Sequence, residues 1–249
     1  MAAGLEKSNT SLDGRTVLVT GANGGLGEQF VVQAIERGAS KVYAAARSAR
    51  EWSDPRIQHL TLDITDVEHV REAVLAAPDV DLLINNAAIA PQGDFLMGSE
   101  DGAQRIFETN FFGTLRVANA FAPILAANGG GTMLNILSSA VWVSIPTIYA
   151  ASKAAMWSAT NGLRFALEAQ GTQVVGLHVG MIDTQMAAQY NVPKTSPKSV
   201  VAQAYDGISA GDIEVLADDQ TRQLKSGLGT KAEQFYPWLH GELRSFLAQ

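Results

Sequence analysis

Cysteine is absent from this sequence of 249 residues. Its absence excludes disulfide bonds and thiolate chemistry and fits a reducing cytosol. Basic residues are few: 18 Lys and Arg stand against 25 Asp and Glu, and this formal charge of -7 argues against non-specific binding of nucleic acids. The first 14 residues lack the apolar segment of a signal peptide, and no apolar run reaches the roughly 18 residues of a membrane span. The four histidines show no metal-ligand spacing. These features favour a cytoplasmic protein without a metal, a nucleic-acid partner or a membrane anchor.

Short apolar segments alternate with longer amphipathic ones along the chain. This alternation predicts an α/β domain in which helices cover both faces of a mostly parallel, seven-stranded sheet. The pattern predicts strands at 16–20, 41–46, 57–62, 81–85, 131–137, 173–179 and 213–216, and helices at 26–37, 67–77, 102–127, 149–168 and 200–209. No repeat or linker divides the chain. We therefore expect a flexible leader at 1–13 and one domain over 14–249.

Tyr149 and Lys153 lie four residues apart in a predicted helix and therefore share one face of it. A lysine ammonium favours the phenolate and lowers the pKa of a neighbouring tyrosine, whose ordinary value is about 10. A tyrosine with a lowered pKa can act as a general acid or base. The alternative, a solvated pair, is common in helices.

A glycine-rich turn, Gly21 to Gly27, connects the first strand to the first helix. Glycines at such a turn allow the backbone to approach a pyrophosphate at the helix N-terminus. The spacing differs from G-x-G-x-x-G, and the alternative is a loop whose glycines serve turn geometry alone. The context of strand, turn and helix favours nucleotide binding.

The second strand ends in Ala46-Arg47-Ser48 and offers no carboxylate for a ribose 2′-hydroxyl. A guanidinium can pair with a 2′-phosphate, so Arg47 points to NADP(H), with assistance from Ser48 and Arg50. The alternative is a solvated charge at the strand end.

Several motifs occur in the order and spacing of one known family. They are Thr20-Gly21 with Gly25 and Gly27, Asp63 after the third strand, Asn85-Asn86-Ala87-Ala88, Asn110, and the pair Tyr149 and Lys153. With them, nearly the whole chain resembles the classical short-chain dehydrogenase/reductase family, whose domain is of the Rossmann type. One departure is Val179-Gly180 in place of Pro-Gly, although Gly180, Ile182 and Thr184 still match the loop beside the nicotinamide.

The resemblance implies a set of residues around the cofactor. They are Gly21, Asn23, Gly24, Gly25, Leu26, Gly27, Arg47, Ser48, Asp63, Ile64, Asn86, Ala87, Tyr149, Lys153, Gly180, Ile182 and Thr184. Asn86 is expected to bridge strands and not to take part in catalysis.

The position of the family's serine leaves two choices. Counting three residues from Asn135 gives Ser138, whereas the distance to Tyr149 is shorter than in the family by about two residues. Strand register favours Ser138, and Ser139 is the alternative.

The resemblance also implies a reaction. Tyr149 would donate a proton to a carbonyl oxygen, Ser138 would hydrogen-bond that oxygen, and Lys153 would lower the Tyr149 pKa and hold the nicotinamide ribose. Asn110 would hold a water in a proton relay. The implied function is reversible reduction of a ketone or aldehyde to an alcohol with NADPH, in a homodimer or homotetramer.

The loop over the substrate, around 184–200, is short and predicts an open pocket. Its expected walls, besides Ser138, are apolar and favour a neutral, hydrophobic substrate: Val141, Trp142, Val143, Met181, Met186 and Tyr190. Two other functions remain open. A nucleotide-sugar epimerase or dehydratase normally has a longer C-terminal region, and a non-catalytic NADP-sensing regulator is expected to lose Tyr149 or Lys153.

Overall fold

The computed structural model describes residues 12–90, 99–143 and 145–247. The strands are β1 (Thr16–Thr20), β2 (Lys41–Ala46), β3 (Ile57–Thr61), β4 (Leu82–Asn85), β5 (Thr132–Ile136), β6 (Gln173–His178) and β7 (Glu214–Leu216). The helices are α1 (Gly25–Glu36), α2 (Val67–Ala76), α3 (Glu100–Phe107), α4 (Thr114–Ala127), α5 (Ile148–Leu167), α6 (Pro197–Ala210), α7 (Asp219–Gly227) and α8 (Ala232–Leu247).

The seven strands form one parallel sheet in the order β3-β2-β1-β4-β5-β6-β7. The order reverses between β1 and β4, and a parallel sheet binds its ligand outside the carboxyl ends of the strands at such a point. This arrangement confirms the predicted Rossmann-type sheet with helices on its faces.

Alternate residues of the strands point into two separate apolar layers. Val17 and Val19 of β1 pack in one layer with Phe30 and Tyr205, whereas Leu18 packs in the other layer with residues of α2 and α4. The continuous apolar strands of the sequence are explained by this burial on both faces.

Three stretches differ from the sequence prediction. The helix expected over 102–127 is interrupted by a π-helical turn, Glu108–Gly113. Helices α7 and α8, for which the pattern gave no prediction, follow β7. Leu12 is buried in the core, and its N–H donates to the Arg37 carbonyl, so the predicted leader ends before Leu12; residues 1–11 lie outside the described residues.

Among the described residues, no helix combines the length and the hydropathy that crossing a membrane requires.

Candidate active site

A cleft of about 2150 Å³ lies at the carboxyl ends of the strands. Its volume is at least twice that of a typical small-molecule pocket, so a dinucleotide and a substrate fit together. The cleft brings together most of the predicted site residues, which are Gly21, Asn23, Gly24, Gly25, Leu26, Arg47, Ser48, Asp63, Ile64, Asn86, Ala87, Ser138, Val143, Tyr149, Lys153, Gly180, Met181, Ile182, Thr184, Met186 and Tyr190.

The glycine turn is shaped for a bound phosphate. Gly25 has a positive φ of 57°, and a Cβ at Gly27 would collide with the carbonyl oxygen of Gly21, so Gly27 packs behind the cleft wall. A Cβ at Gly24 would meet no atom within 4 Å. Gly24 is also the N-cap of α1, which has no side-chain cap, so the first N–H groups of the helix face an open cradle.

A polar brace fixes this turn to the neighbouring strand. The buried Thr20 hydroxyl accepts hydrogen bonds from the N–H groups of Asn86 and Ala87, both at 3.0 Å. The Asn86 amide donates to the carbonyl oxygens of Thr20 and Gly21, at 2.9 and 3.1 Å. Asn86 therefore bridges strands, as predicted. Thr20 was identified from its motif only, and its bracing role was missed.

The end of the cleft next to β2 contains Arg47, which was predicted to select NADP(H). Arg47 is exposed and lines the cleft. Burial opposes ionisation of the neighbouring Asp63, but the hydrogen bonds from Thr65 and, to a smaller extent, the charge of Arg47 leave the pKa of Asp63 below its ordinary value. Arg50, in contrast, is paired with Glu28 at 2.6 Å. The predicted assistance from Arg50 stays a prediction.

Asn23 belongs to the glycine turn and contacts the Arg47 end of the cleft through Ser48. Its amide nitrogen donates to the Ser48 carbonyl at 2.8 Å, which fixes the Ser48 backbone. Its buried Oδ1 has no hydrogen-bond partner among the described residues and remains available to a donor on a ligand. Together with the cradle at Gly24, this orphan acceptor fits a dinucleotide.

Asn110 lies behind the cleft wall, in the π-helical turn. Its Oδ1 accepts from the N–H of Ile89 at 2.8 Å, while its amide donates to the Ile89 carbonyl at 2.9 Å and to Ser152 at 3.1 Å. The side chain thus fixes the cleft-lining Ile89 backbone to α5. The water relay expected from Asn110 stays a prediction.

Lys153 is buried on the first turns of α5. Its Nζ donates to the carbonyl of Ile136 at 2.8 Å and lies 5.9 Å from the centre of the Tyr149 ring. Burial lowers the pKa of Lys153 to about 8. At pH 7 the side chain is still predominantly protonated, so a cation lies beside the ring of Tyr149.

Tyr149 and Ser138 meet at the cleft wall. Burial raises the pKa of Tyr149 above its ordinary value, while a hydrogen bond with the Ser138 side chain acts in the opposite direction. The expected net lowering of this pKa is therefore wrong, because desolvation of the phenolate dominates. Tyr149 consequently carries its proton at pH 7, the form of a general acid.

The choice between the two serines follows from these contacts. The Ser138 hydroxyl, at the end of β5, accepts from the N–H of Ala140 at 3.1 Å and lies next to Tyr149. Ser139 also lines the cleft, but its backbone N–H donates to the Val179 carbonyl and extends the strand ladder. The geometry favours Ser138.

Two of the predicted pocket residues lie elsewhere. Val141 and Trp142 are not part of the cleft wall. Trp142 is buried beneath the wall, where its ring stacks on His178 with a centroid distance of 4.3 Å. The prediction failed because a 3₁₀ turn at Ser139–Val141 changes the direction in which successive side chains point.

Helices α7 and α8 provide a wall that the sequence pattern did not indicate. Gln220, Gln223 and Leu224 of α7, and Trp238, Leu239 and Glu242 of α8, line the cleft. The buried Leu239 anchors α8 in an apolar cluster that also contains Ala140 and Val143. The pocket is therefore bounded by this helix pair as well as by the short loop after β6.

Asp218 joins that wall to the loop after β6. Its carboxylate accepts from the N–H of Gly180 at 2.7 Å and caps α7 through the N–H of Thr221 at 2.8 Å. A Cβ at Gly180 would lie 3.1 Å from this carboxylate. Glycine at this position thus allows the close approach.

Comparison with known proteins identifies relatives of this chain. A family model described as short chain dehydrogenase matches residues 15–194. The chain is 30% identical over 194 residues to an uncharacterised oxidoreductase of Staphylococcus aureus (strain USA300), covering 73% of this chain and 84% of that protein. It is 27% identical over 260 residues to the ketoacyl reductase HetN of Nostoc, covering 92% and 90% respectively.

A crystal structure of a short chain dehydrogenase from Burkholderia cenocepacia in complex with NADP has a similar fold. It superposes with a TM-score of 0.87 at 34% identity and covers 92% of this chain and 98% of that one. The match of the family model, the sheet order and the shared motifs lead to one conclusion: the chain belongs to the classical short-chain dehydrogenase/reductase family of oxidoreductases.

Proposed function

We propose that this protein is an NADPH-dependent carbonyl reductase that converts a neutral, hydrophobic ketone or aldehyde into an alcohol, reversibly. The observation that carries the proposal is the contact between Ser138 and Tyr149 at the cleft wall, with Lys153 four residues further along α5. NADPH, when bound, supplies a hydride to the carbonyl carbon.

The two hydroxyl groups act on the oxygen that gains negative charge during reduction. The Ser138 hydroxyl donates a hydrogen bond to this oxygen and stabilises the developing charge. Tyr149 transfers its phenolic proton to the same oxygen, and its raised pKa keeps that proton in place until charge develops. The Lys153 cation then favours the phenolate that remains.

Residues at the two ends of the cleft hold the cofactor in this proposal. The first N–H groups of α1 bind the pyrophosphate, and Arg47 pairs with the 2′-phosphate of NADP(H). The NADP bound by the Burkholderia cenocepacia relative supports this choice of cofactor. Gly180, Ile182 and Thr184 bind the nicotinamide end, and Lys153 holds its ribose.

The walls around Tyr149 support an apolar substrate. Ala140, Val143, Leu224 and Leu239 form one buried apolar cluster against which Tyr149 packs. A hydrophobic surface of this kind favours a neutral aryl or aliphatic ketone over a carboxylate or a phosphate ester.

The experiment is oxidation of NADPH, and separately of NADH, by the purified protein with a panel of aryl and aliphatic ketones. We expect turnover with NADPH well above that with NADH. Turnover with neither cofactor, together with tight NADPH binding, would replace the proposal by the NADP-sensing alternative. A change in configuration or loss of water without net oxidation would identify an epimerase or dehydratase.

Self-association into a homodimer or homotetramer is part of the proposal. The resemblance to the family implies it, and Phe165, an 83% exposed apolar side chain, lies on the surface of α5. Sedimentation of the purified protein tests it, and a monomer at micromolar concentration would contradict it. The cytoplasmic location stays a prediction.

A further inference from the structure

His178 is a buried titratable residue to which the proposed reaction assigns no role. It is the last residue of β6, and its side chain is fully buried. Beyond the end of β5 the backbone ladder continues, because Leu137 donates to Leu177 at 2.7 Å and Ser139 donates to Val179 at 2.8 Å. His178 therefore stands level with Ser138 on the neighbouring strand.

The imidazole contacts the turn that begins at Ser138. Its Nδ1 lies 3.5 Å from the carbonyl oxygen of Ser138. Its ring stacks on Trp142 at 4.3 Å with an interplanar angle of 17°, and Trp142 directly follows the 3₁₀ turn that Ser138 caps. The ring thus touches the segment from Ser138 to Trp142 at both ends.

The other edge of the ring faces β7 and α7. Nε2 lies 3.4 Å from the carboxylate of Glu214 but makes no hydrogen bond among the described residues, and that carboxylate accepts from Lys225 at 2.9 Å. The charged groups facing the ring are Glu214, Lys225 and Arg164; with burial as the largest cause, they leave the pKa of His178 at about 4. The ring is therefore neutral at pH 7 and carries a single N–H.

The position of the Ser138 hydroxyl depends on this backbone. The hydroxyl accepts from the N–H of Ala140, two residues into the turn, and reaches Tyr149 across the cleft wall. A rotation of the turn about Ser138 would move the hydroxyl away from the phenol. A displacement of about 1 Å at such a contact is enough to lower a rate strongly.

We propose that His178 is a positioning residue, which holds the turn from Ser138 to Trp142 and thereby keeps the Ser138 hydroxyl against Tyr149. The ring acts through its stacking on Trp142 and its contact with the Ser138 carbonyl. The inference rests on the proposed function where it concerns turnover, but its structural claim is measurable without a substrate.

The first readout is the ¹³Cζ resonance of Tyr149 in protein labelled at tyrosine, assigned by its loss in Tyr149→Phe. Ser138→Ala removes the hydrogen bond and shifts this resonance. We expect His178→Gln to shift the Tyr149 resonance in the same direction, because the longer glutamine amide extends past the Ser138 carbonyl towards Glu214. His178→Asn places an amide where Nδ1 stood, so the Tyr149 resonance should stay closer to its wild-type value.

The second readout is turnover on a ketone from the panel. We expect His178→Gln to lower kcat about tenfold and His178→Asn to restore most of that loss, with the Kd for NADPH unchanged. In the Ser138→Ala background, His178→Gln should have no further effect, because residues that act as one unit are not additive. Should His178→Gln not fold, His178→Ala takes its place.

An unchanged Tyr149 resonance and unchanged kcat in His178→Gln would overturn the inference. So would an equal loss of kcat in the wild-type and Ser138→Ala backgrounds, which indicates an independent structural role. If the wild-type protein reduces no ketone, the proposed function fails, while the resonance still decides the role of His178.

Discussion

Burial of the Lys153 ammonium has a measurable effect on stability. The side chain is 5% exposed, and its pKa falls from 10.5 to about 8. One pKa unit corresponds to about 1.4 kcal/mol, so burying the charged form costs the folded state about 3 kcal/mol. This cost is present in full below about pH 8, where folded and unfolded chains are both protonated.

The sign of the pH dependence follows from the lowered pKa. Between about pH 8 and pH 10.5 the folded protein releases the proton of Lys153 while the unfolded chain retains it. The free energy of unfolding therefore rises with pH over this interval. Above about pH 10.5 both states are neutral at this residue, and its contribution no longer changes.

The assay compares urea unfolding of the wild-type protein and Lys153→Met from about pH 7 to pH 10.5. We expect the difference in unfolding free energy, wild type minus variant, to rise by about 3 kcal/mol over this range. Taking the difference cancels the other titrating groups. Lys198→Met, at an exposed lysine of α6, is the control and should show no such rise. A flat difference for Lys153→Met would refute the burial of this charge.

Three other substitutions test separate parts of the site. Arg47→Asp should lower the preference for NADPH over NADH, measured as the ratio of their Kd values, by about 10–100-fold. The control Arg50→Ala, at an arginine already held in an ion pair, should leave this ratio unchanged. If Arg47→Asp and the wild-type protein have the same ratio, Arg47 does not bind the 2′-phosphate. Thr20→Val should lower the free energy of unfolding by about 2–3 kcal/mol, because it removes the hydroxyl that accepts from two backbone N–H groups. Thr20→Ser keeps this hydroxyl and should lower the free energy of unfolding by less than about 1 kcal/mol. Similar losses in the two variants would refute the bracing role of the hydroxyl. Trp238→Ala should change the KM of bulky ketones severalfold. The control Tyr236→Ala, on the same helix but outside the cleft wall, should leave this KM unchanged. Equal KM values for the two variants would exclude α8 from the substrate wall.

Local sequence signals identified the elements that frame the site. The strands 16–20 and 41–46 were predicted at their observed bounds. In the first, a short apolar, β-branched run lies directly before Gly21, and such a run leaves little choice of structure. The pairing of Tyr149 with Lys153 required only the helical spacing of four residues.

Other features depend on contacts between distant segments. The π-helical turn forms where the Asn110 side chain binds Ile89, and a Cβ at Gly113 would come within 2.9 Å of Ile64. Neither contact can be read from the helical periodicity of that stretch. The orientation of Trp142, likewise, is set by its stacking on His178 from another strand.

The helices after β7 were missed for a local reason. Pro237 lies inside α8, and the residues of α7 are largely polar, so neither segment shows the apolar periodicity of a typical helix. The pKa of Tyr149 was predicted in the wrong direction because desolvation depends on tertiary burial, which spacing along a helix does not reveal.

The most direct test of the central claim is turnover by Tyr149→Phe on a ketone that the wild-type protein reduces. We expect kcat to fall by roughly 10²–10⁴-fold, because the phenolic proton is lost, while the Kd for NADPH changes less than about threefold. Turnover retained within about tenfold, with NADPH bound normally, would contradict the role of Tyr149 as the general acid.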